Sequence, residues 1–247
     1  MRSDPLGEEK MRRFLFKIII LLLVIGGLYI LSEVFLPDLI GRKISKIIKG
    51  KEGVKSSVET KVSSHPALKI ALGRLDKVSI KIKELNTAGL KLKDVKTKLK
   101  AVSFDLPDYL RHQKIRVKSI KASDLEIKIS ESDLNEYLQR GKDFRDFKAR
   151  LVPGKVILKG EVEVLGAPLD VSLEGDFVIE EESRMRFVGR KLRVSGRKLP
   201  DFITRQVIEK TNPVVDFSFL DLPLSLKRVI IGEGYIKLLG TIEAEEK

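Results

Sequence analysis

The two histidines, His65 and His112, are the side chains best suited to bind a metal or transfer a proton near neutral pH. Neither has a second histidine or a group of acidic residues at the spacing that metal sites use. His65 also precedes Pro66 in a predicted loop. We therefore interpret both histidines as solvated side chains rather than as ligands or catalytic bases.

Other signatures of catalysis are also missing from the sequence. It has no cysteine, which excludes disulfides, thiol nucleophiles and zinc–thiolate sites. No GxSxG, P-loop or GxGxxG motif occurs. Gly232-Glu233-Gly234 predicts a hairpin turn, and the acidic run Glu180–Glu182 predicts a solvated connection. The sequence thus predicts no catalytic residue, no metal and no cofactor, and it argues against an enzyme.

The surplus of positive charge indicates which partners the protein prefers. Lysine and arginine number 48 against 35 acidic residues, a formal net charge of +13, and this balance favours polyanions. Proteins that bind single-stranded nucleic acid combine basic residues with stacking aromatic rings, whereas this chain has no tryptophan and 6% aromatic residues. We therefore rank phospholipid headgroups first and expect no nucleic-acid partner. The simpler interpretation, that the lysines only keep the surface soluble, stays open.

An apolar segment near the N-terminus predicts a membrane anchor. Lys17 is the only charge between Phe14 and Leu31. The uncharged stretch from 18 to 31 is shorter than the roughly 20 residues that span a bilayer, but apolar residues on both flanks extend it as far as 36. Arg12 and Arg13 precede the segment, and no small-residue cleavage site follows it. We therefore predict an uncleaved signal anchor in preference to a removed signal peptide.

This anchor divides the chain into three parts. Residues 1–13 are predicted to form a short cytoplasmic tail, 14–36 the transmembrane signal anchor, and 38–247 a single lipid-binding-like α+β domain. The basic residues before the anchor favour a cytoplasmic N-terminus and an extracytoplasmic domain. The chain is thus predicted to be a single-pass protein of the cell membrane.

The segment after the anchor predicts an amphipathic helix. Pro37 and Asp38 indicate a break, after which apolar residues recur every three or four positions up to Gly50: Leu39, Ile40, Ile44, Ile47 and Ile48. Lysines occupy the other face, and we assign three of them to contact with anionic headgroups: Lys43, Lys46 and Lys49. The helix either lies on the membrane surface or packs its apolar stripe on a sheet.

From residue 54 onwards the hydrophobic period changes from 3.6 to 2, which predicts strands. Runs such as Val78–Ile82 and Leu125–Ile129 alternate apolar and polar residues. Two helices interrupt the strands, one over 133–140 with a capping box at Ser130 and one from about 201 to 208. Alternation of this kind is typical of an antiparallel sheet with one buried face, so we predict one α+β domain.

The apolar faces of this sheet have two possible uses. They close on each other as an ordinary core, or a strongly curved sheet leaves a groove for acyl chains. Composition does not choose between the two. If there is a groove, helical and strand periodicity assign these residues to lipid contact: Ile44, Ile47, Ile48, Val156, Leu158, Val162 and Val164.

Several short segments, taken in order, resemble the LmeA-like family of bacterial phospholipid-binding envelope proteins. They are Pro66–Gly73, Asp76–Ile80, Ala88–Leu92, Ile129–Leu138, Val194–Pro200, Asn212-Pro213, Leu222–Leu224 and Gly234–Gly240. The resemblance covers roughly Leu39 to Ile242. It implies an extracytoplasmic phospholipid-binding domain without catalytic residues. It also implies a fold like the tubular lipid-carrying domains, with a strongly curved antiparallel sheet wrapped around an amphipathic helix.

Two functions therefore stay open. The favoured one is a membrane-anchored extracytoplasmic protein of the bacterial cell envelope that binds phospholipid, with lipid transfer as an extension. Its predicted partners are phospholipid and the membrane. The alternative is a non-enzymatic structural or adaptor domain in envelope assembly, with a solid core and no lipid cavity.

Overall fold

The computed structural model describes residues 5–50, 54, 56–87, 89–112, 116–140, 147–164, 167–194, 197–198, 214–217 and 223–244. Its helices are α1 (Pro5–Lys49), a 3₁₀ helix (Ala67–Leu72), α2 (Leu106–His112) and α3 (Glu131–Arg140). Its strands are β1 (Val58–Ser63), β2 (Arg74–Thr87), β3 (Leu90–Phe104), β4 (Val117–Ser130), β5 (Lys148–Val152), β6 (Lys155–Val164), β7 (Ala167–Glu180), β8 (Arg184–Val194), β9 (Arg197–Lys198), β10 (Val214–Asp216), β11 (Leu224–Gly232) and β12 (Tyr235–Ile242).

One continuous helix, α1, joins the predicted anchor to the predicted amphipathic segment. The sequence predicts a break at Pro37 and Asp38, but the helix runs through both residues. Pro37 has no N–H to donate to the carbonyl of Glu33, four residues earlier. The helix persists because Leu36 and Ile40, on either side of the proline, both pack on the domain.

The segment of α1 from Phe16 to Leu36 is mostly apolar and exposed. Leu23 is 70% exposed and Ile30 is 66% exposed. By length and composition α1 is able to cross a membrane, and within the described part of the chain it is the helix that meets this requirement. An apolar helix with so much exposed surface is compatible with the predicted membrane anchor.

Two antiparallel sheets form the body of the protein. The first sheet has the strand order β1-β2-β3-β4-β12-β11, and the second has the order β10-β8-β7-β6-β5, with β9 beside β8. The predicted turn at Gly232-Glu233-Gly234 joins β11 to β12 and is confirmed. The sheets meet at two hairpin turns, where Gly154 N–H donates to the Ile231 carbonyl and Gly234 N–H donates to the Leu151 carbonyl, both at 3.0 Å.

Two coordinated kinks curl the first sheet. Asp94 and Ala101 of β3 both have a φ of 48°, in the left-handed region. At each of these residues the apolar positions of β3 are three residues apart instead of two, from 92 to 95 and from 99 to 102. The paired strand β2 has the same wider spacing at the facing positions, from 82 to 85 and from 75 to 78. Against β4 the register also shifts between Lys93 and Lys96. Such irregularities increase strand twist and bending, while here the apolar side chains stay on one face.

The core of the protein is divided into two apolar clusters. The main cluster lies between the two sheets and α3, and it includes Ile127, Leu134 and Phe187. The second cluster lies between the second half of α1, the 3₁₀ helix and the adjoining ends of β2 and β3. Ile80 of β2 packs against both. The curled first sheet therefore contacts α1 at one end and the second sheet at the other, which confirms the predicted α+β fold.

The helix that the sequence predicts over 133–140 is confirmed as α3. The hydroxyl oxygen of Ser130 accepts a hydrogen bond from the Asp133 N–H at 3.2 Å, as in the predicted capping box. Leu134 and Leu138 are buried in the main cluster. The second predicted helix, from about 201 to 208, lies outside the described residues.

Candidate functional site

A small apolar recess lies between the second half of α1 and the end of the first sheet. Six residues line it: Ile40, Lys43, Ile44, Leu75, Phe104 and Tyr109. Its cavity volume is about 20 Å³, roughly the space of one water molecule, which is far below the about 300–1,000 Å³ of ordinary small-molecule pockets. The recess is therefore a shallow apolar dent rather than a preformed acyl-chain pocket.

The wall of the recess that faces α1 is fixed by backbone contacts. Gly73 ends the 3₁₀ helix with a φ of 72°, and the Phe104 N–H donates to its carbonyl at 2.9 Å. A Cβ at position 73 would lie 2.5 Å from the Phe104 carbonyl oxygen. Only glycine fits this close approach and this left-handed conformation. The pairing holds the Phe104 ring at the end of β3, against Ile40 and Ile44.

The floor of the recess has an unusual polar group. Tyr109 of α2 is 7% exposed and packs edge-to-face on Phe104, with ring centroids 6.5 Å apart. Its hydroxyl is buried and has no hydrogen-bond partner among the residues that the structure describes. A buried hydroxyl without a partner costs about 1–3 kcal/mol.

A lysine stands at the opening of the recess. The ammonium of Lys43 lies 5.3 Å from the centroid of the Tyr109 ring, a cation–π distance. Within the described ranges no carboxylate lies at ion-pair distance from Lys43. The nearby carboxylates have other partners, since Lys118 pairs with Asp105 at 3.0 Å and His112 contacts Asp108 at 2.8 Å. The positive charge of Lys43 is therefore available to an anionic ligand.

Local hydrogen bonds also stabilise α2, which carries Tyr109. The side chain of Asp105 accepts from the Asp108 N–H at 3.0 Å, as an N-cap does. This backbone bond, and then the ammonium of Lys118, hold the pKa of Asp105 below its ordinary value. Asp105 is thus charged near neutral pH and fixes the start of the helix that forms the floor of the recess.

The residues predicted on α1 separate into different surroundings. Ile44 lines the recess together with Lys43, so the structure brings these two predictions together. Ile48 packs against the main cluster, whereas Ile47 is 41% exposed. The other two predicted headgroup contacts, Lys46 and Lys49, are exposed on the helix away from the recess.

The lipid contacts predicted on β6 lie elsewhere in the fold. Val156 and Leu158 are both 0% exposed inside the main cluster, where Leu158 pairs across the sheet with Leu173. The side chains of Val162 and Val164 lie outside the described residues. The structure therefore does not bring the β6 positions to the recess on α1, and their contact with lipid stays a prediction.

Sequence periodicity missed half of the recess. Leu75, Phe104 and Tyr109 line it, but none was assigned a role. Phe104 and Tyr109 stand at the end of a strand and in a short helix, where alternation gives no face. The available signal was Asp105 with Asp108. An aspartate followed three residues later by a second acidic residue predicts an N-cap and the first turn of a helix.

The side chain of each histidine contacts one carboxylate, and the backbone N–H of His65 also donates to Asp76 at 2.8 Å. His65 Nδ1 lies 3.3 Å from Glu33 of α1, and His112 Nδ1 lies 2.8 Å from Asp108. No group of three or more histidine or acidic side chains able to hold a metal occurs within the described part of the chain. Both histidines thus make local contacts with neighbouring carboxylates.

A curled antiparallel sheet that closes on an amphipathic helix, with an apolar recess beside a lysine, is compatible with a lipid-binding domain. The family model described as LmeA-like phospholipid-binding matches residues 31–241. The chain therefore belongs to the LmeA-like phospholipid-binding family, which confirms the resemblance found in the sequence. No curated protein and no solved structure matches the chain at a significant level.

Proposed function

We propose that the protein is a membrane-anchored phospholipid-binding protein of the bacterial cell envelope, with its domain outside the cytoplasm. The segment of α1 from 14 to 36 spans the membrane, and the recess on the second half of α1 holds part of an acyl chain. The proposal assigns no catalytic step to any residue. Membership of a phospholipid-binding family and the exposed apolar surface of α1 support it.

The recess is the observation that carries this proposal. Its lining is almost entirely apolar, and the Lys43 ammonium and the buried Tyr109 hydroxyl lie beside it. A phospholipid has the matching chemistry, since its acyl chain is apolar while its esters and phosphate accept hydrogen bonds and carry negative charge. Lys43 then meets the phosphate, and Tyr109 donates to an ester or phosphate oxygen.

The recess is also close to the membrane along α1. Ile40 and Ile44 follow Leu36, the last residue of the apolar anchor segment, by four and eight residues. At a rise of about 1.5 Å per residue, this places the recess roughly 6–12 Å beyond the end of that segment. A lipid that leaves the bilayer along α1 reaches the recess after a short path. Lipid transfer to another membrane or protein is a natural extension of this binding.

A structural or adaptor role without bound lipid is the second candidate. The complete burial of Val156 and Leu158 favours it, because these side chains leave no groove between the sheets at their positions. The two candidates differ in whether lipid occupies the recess.

Photo-crosslinking of the full-length protein distinguishes the two candidates. The protein is reconstituted in vesicles that contain a phospholipid with a photoactivatable acyl chain, and crosslinked peptides are mapped by mass spectrometry. We expect crosslinks on peptides that contain Phe104 or Tyr109, in addition to those on the anchor. Crosslinks confined to residues 16–36 would contradict lipid binding in the recess and favour the adaptor role.

A further inference from the structure

The 3₁₀ helix exposes two leucines at one end of the domain. Leu68 is 52% exposed and Leu72 is 73% exposed. Among the described residues outside α1, the other exposed large apolar side chains are Val178 and Ile230, which are less exposed, at 37% and 39%. The 3₁₀ helix has six residues, so it concentrates apolar surface that a water-exposed loop does not need.

Direct contacts hold this 3₁₀ helix beside α1 at a defined height. The Ala67 N–H donates to the Glu33 carboxylate at 2.8 Å, and His65 Nδ1 lies 3.3 Å from the same side chain. Ala67 is fully buried, and Ile70 packs in the second cluster with Leu36 of α1. The start of the 3₁₀ helix is thus level with residue 33 of α1.

Residue 33 lies within the segment that α1 needs in order to cross a bilayer. The uncharged run from 18 to 31 has 14 residues, and at 1.5 Å per residue it covers only about 21 Å of a hydrocarbon core about 30 Å thick. The missing thickness of about 9 Å is shared by the apolar flanks on both sides, so residues 33–36, which include the charged Glu33, lie at the outer boundary of the hydrocarbon core. The Glu33 carboxylate reaches this boundary with the hydrogen bond from Ala67 and the contact with His65 already formed.

We infer that the 3₁₀ helix of the domain inserts Leu68 and Leu72 into the outer boundary of the same bilayer that the anchor crosses. The partner is the lipid surface, because the two exposed leucines are held beside Glu33 and Leu36, where the apolar segment of α1 ends. Arg74, two residues after Leu72, is exposed and has no ion-pair partner in the described part of the chain. It is placed to meet lipid phosphates, which arginine binds well.

This contact gives the domain a second attachment beside the anchor. It rests on the proposed membrane anchoring, but it makes a separate claim about a different surface. A helix anchor alone leaves the domain free to rotate about the helix axis. Two inserted leucines fix one side of the domain against the bilayer and therefore fix the direction in which the recess opens.

Site-directed fluorescence on the full-length protein tests this inference. The chain has no cysteine, so the single variants L68C and L72C can each carry one environment-sensitive dye. The proteins are reconstituted in vesicles of phosphatidylcholine and phosphatidylglycerol, with and without lipids that carry a nitroxide quencher near the headgroup. V178C is the matched exposed apolar control on the domain, and L23C is the positive control within the anchor.

We expect nitroxide lipids to quench the dye at positions 68 and 72 several-fold more than at 178, with blue-shifted emission. Quenching at 72 equal to that at 178, while position 23 is strongly quenched, would overturn the inference and leave the anchor intact. Weak quenching at 23 as well as at 72 would overturn the anchoring proposal together with this inference.

Discussion

Asn135 of α3 and Ala149 of β5 exchange two hydrogen bonds, as neighbouring residues of two strands do. The Asn135 side-chain amide donates to the Ala149 carbonyl at 2.8 Å, and its oxygen accepts from the Ala149 N–H at 2.7 Å. Glu131 extends the pattern by accepting from the Leu151 N–H at 2.7 Å. Two helix side chains thus cover the free edge of the second sheet, which would otherwise expose unpaired backbone groups.

This edge contact makes Asn135 important for stability. In N135A the N–H and carbonyl of Ala149, which is 3% exposed, lose their partners. Each buried unpaired group costs about 1–3 kcal/mol, so we expect a clear drop in the free energy of unfolding, measured by denaturant titration in mild detergent. Q139A, an exposed position on the same helix, is the control and should behave like the wild type. Equal stability of the two variants would show that water replaces the Asn135 bonds.

Leu158 and Ile44 separate core packing from lipid binding. Leu158 is fully buried, so L158A should lower the free energy of unfolding by about 2–5 kcal/mol while the folded fraction still crosslinks to lipid in the recess. I44N should cost less stability and remove the crosslink, because it places an amide where an acyl chain lies. Folded L158A that has lost its lipid would instead support the lipid contact predicted for β6.

The three predicted headgroup lysines should differ in their effects. Only Lys43 lies at the opening of the recess, whereas Lys46 and Lys49 are exposed elsewhere on α1. One lysine near an anionic headgroup contributes about 1 kcal/mol, or roughly fivefold in affinity. We expect K43Q to reduce crosslinking to anionic relative to zwitterionic phospholipid by about this factor at low salt. K46Q and K49Q serve as matched controls, and equal losses in all three would assign the effect to general surface charge.

Asp105 should make the stability of the protein sensitive to acid. Its pKa is lowered in the folded state by the Asp108 N–H and by Lys118. Its contribution is therefore fully present above the ordinary value of 3.8 and is lost as the pH falls through the lowered pKa. D105N should be less stable than the wild type at pH 6, and the difference should shrink towards pH 2. D124N, at an exposed carboxylate on β4, is the control. A difference that stays constant with pH would contradict this role.

Protease digestion tests the orientation of the domain. Protease added to intact spheroplasts should remove the domain and leave a membrane-bound fragment of α1, because the basic residues before the anchor favour a cytoplasmic N-terminus. The control is a cytoplasmic marker protein, which should survive in the same sample. Digestion of the domain only after lysis would place it in the cytoplasm.

Much of the fold follows from periodicity, and the departures have physical causes. The alternation in Val78–Ile82 and Leu125–Ile129 predicted β2 and β4, and Ser130 predicted the start of α3. Strict alternation fails near Asp94 and Ala101, because a left-handed residue shifts the face without any glycine to signal it. Pro37 suggested a break that packing on both sides of it prevents.

The recess was harder to predict than the strands. On its α1 side, helical spacing placed Ile44 on the apolar face and Lys43 on the opposite face, whereas the structure puts both residues at the recess. Its other side depends on Phe104 and Tyr109 meeting α1 across 60 or more residues of sequence. That contact is set by the strand order of the sheet and by the Gly73 turn, neither of which a single sequence reveals.

The unbroken course of α1 limits how far the protein can carry a lipid. Its 45 residues make a rod about 68 Å long, and the domain is packed on the last part of this rod rather than suspended from a flexible tether. In the proposed arrangement the domain cannot swing across the space outside the membrane. Any acceptor of its lipid must approach to within the height of one domain. Donor and acceptor would then form a direct bridge, and exchange would depend on how often they collide in the plane of the membrane.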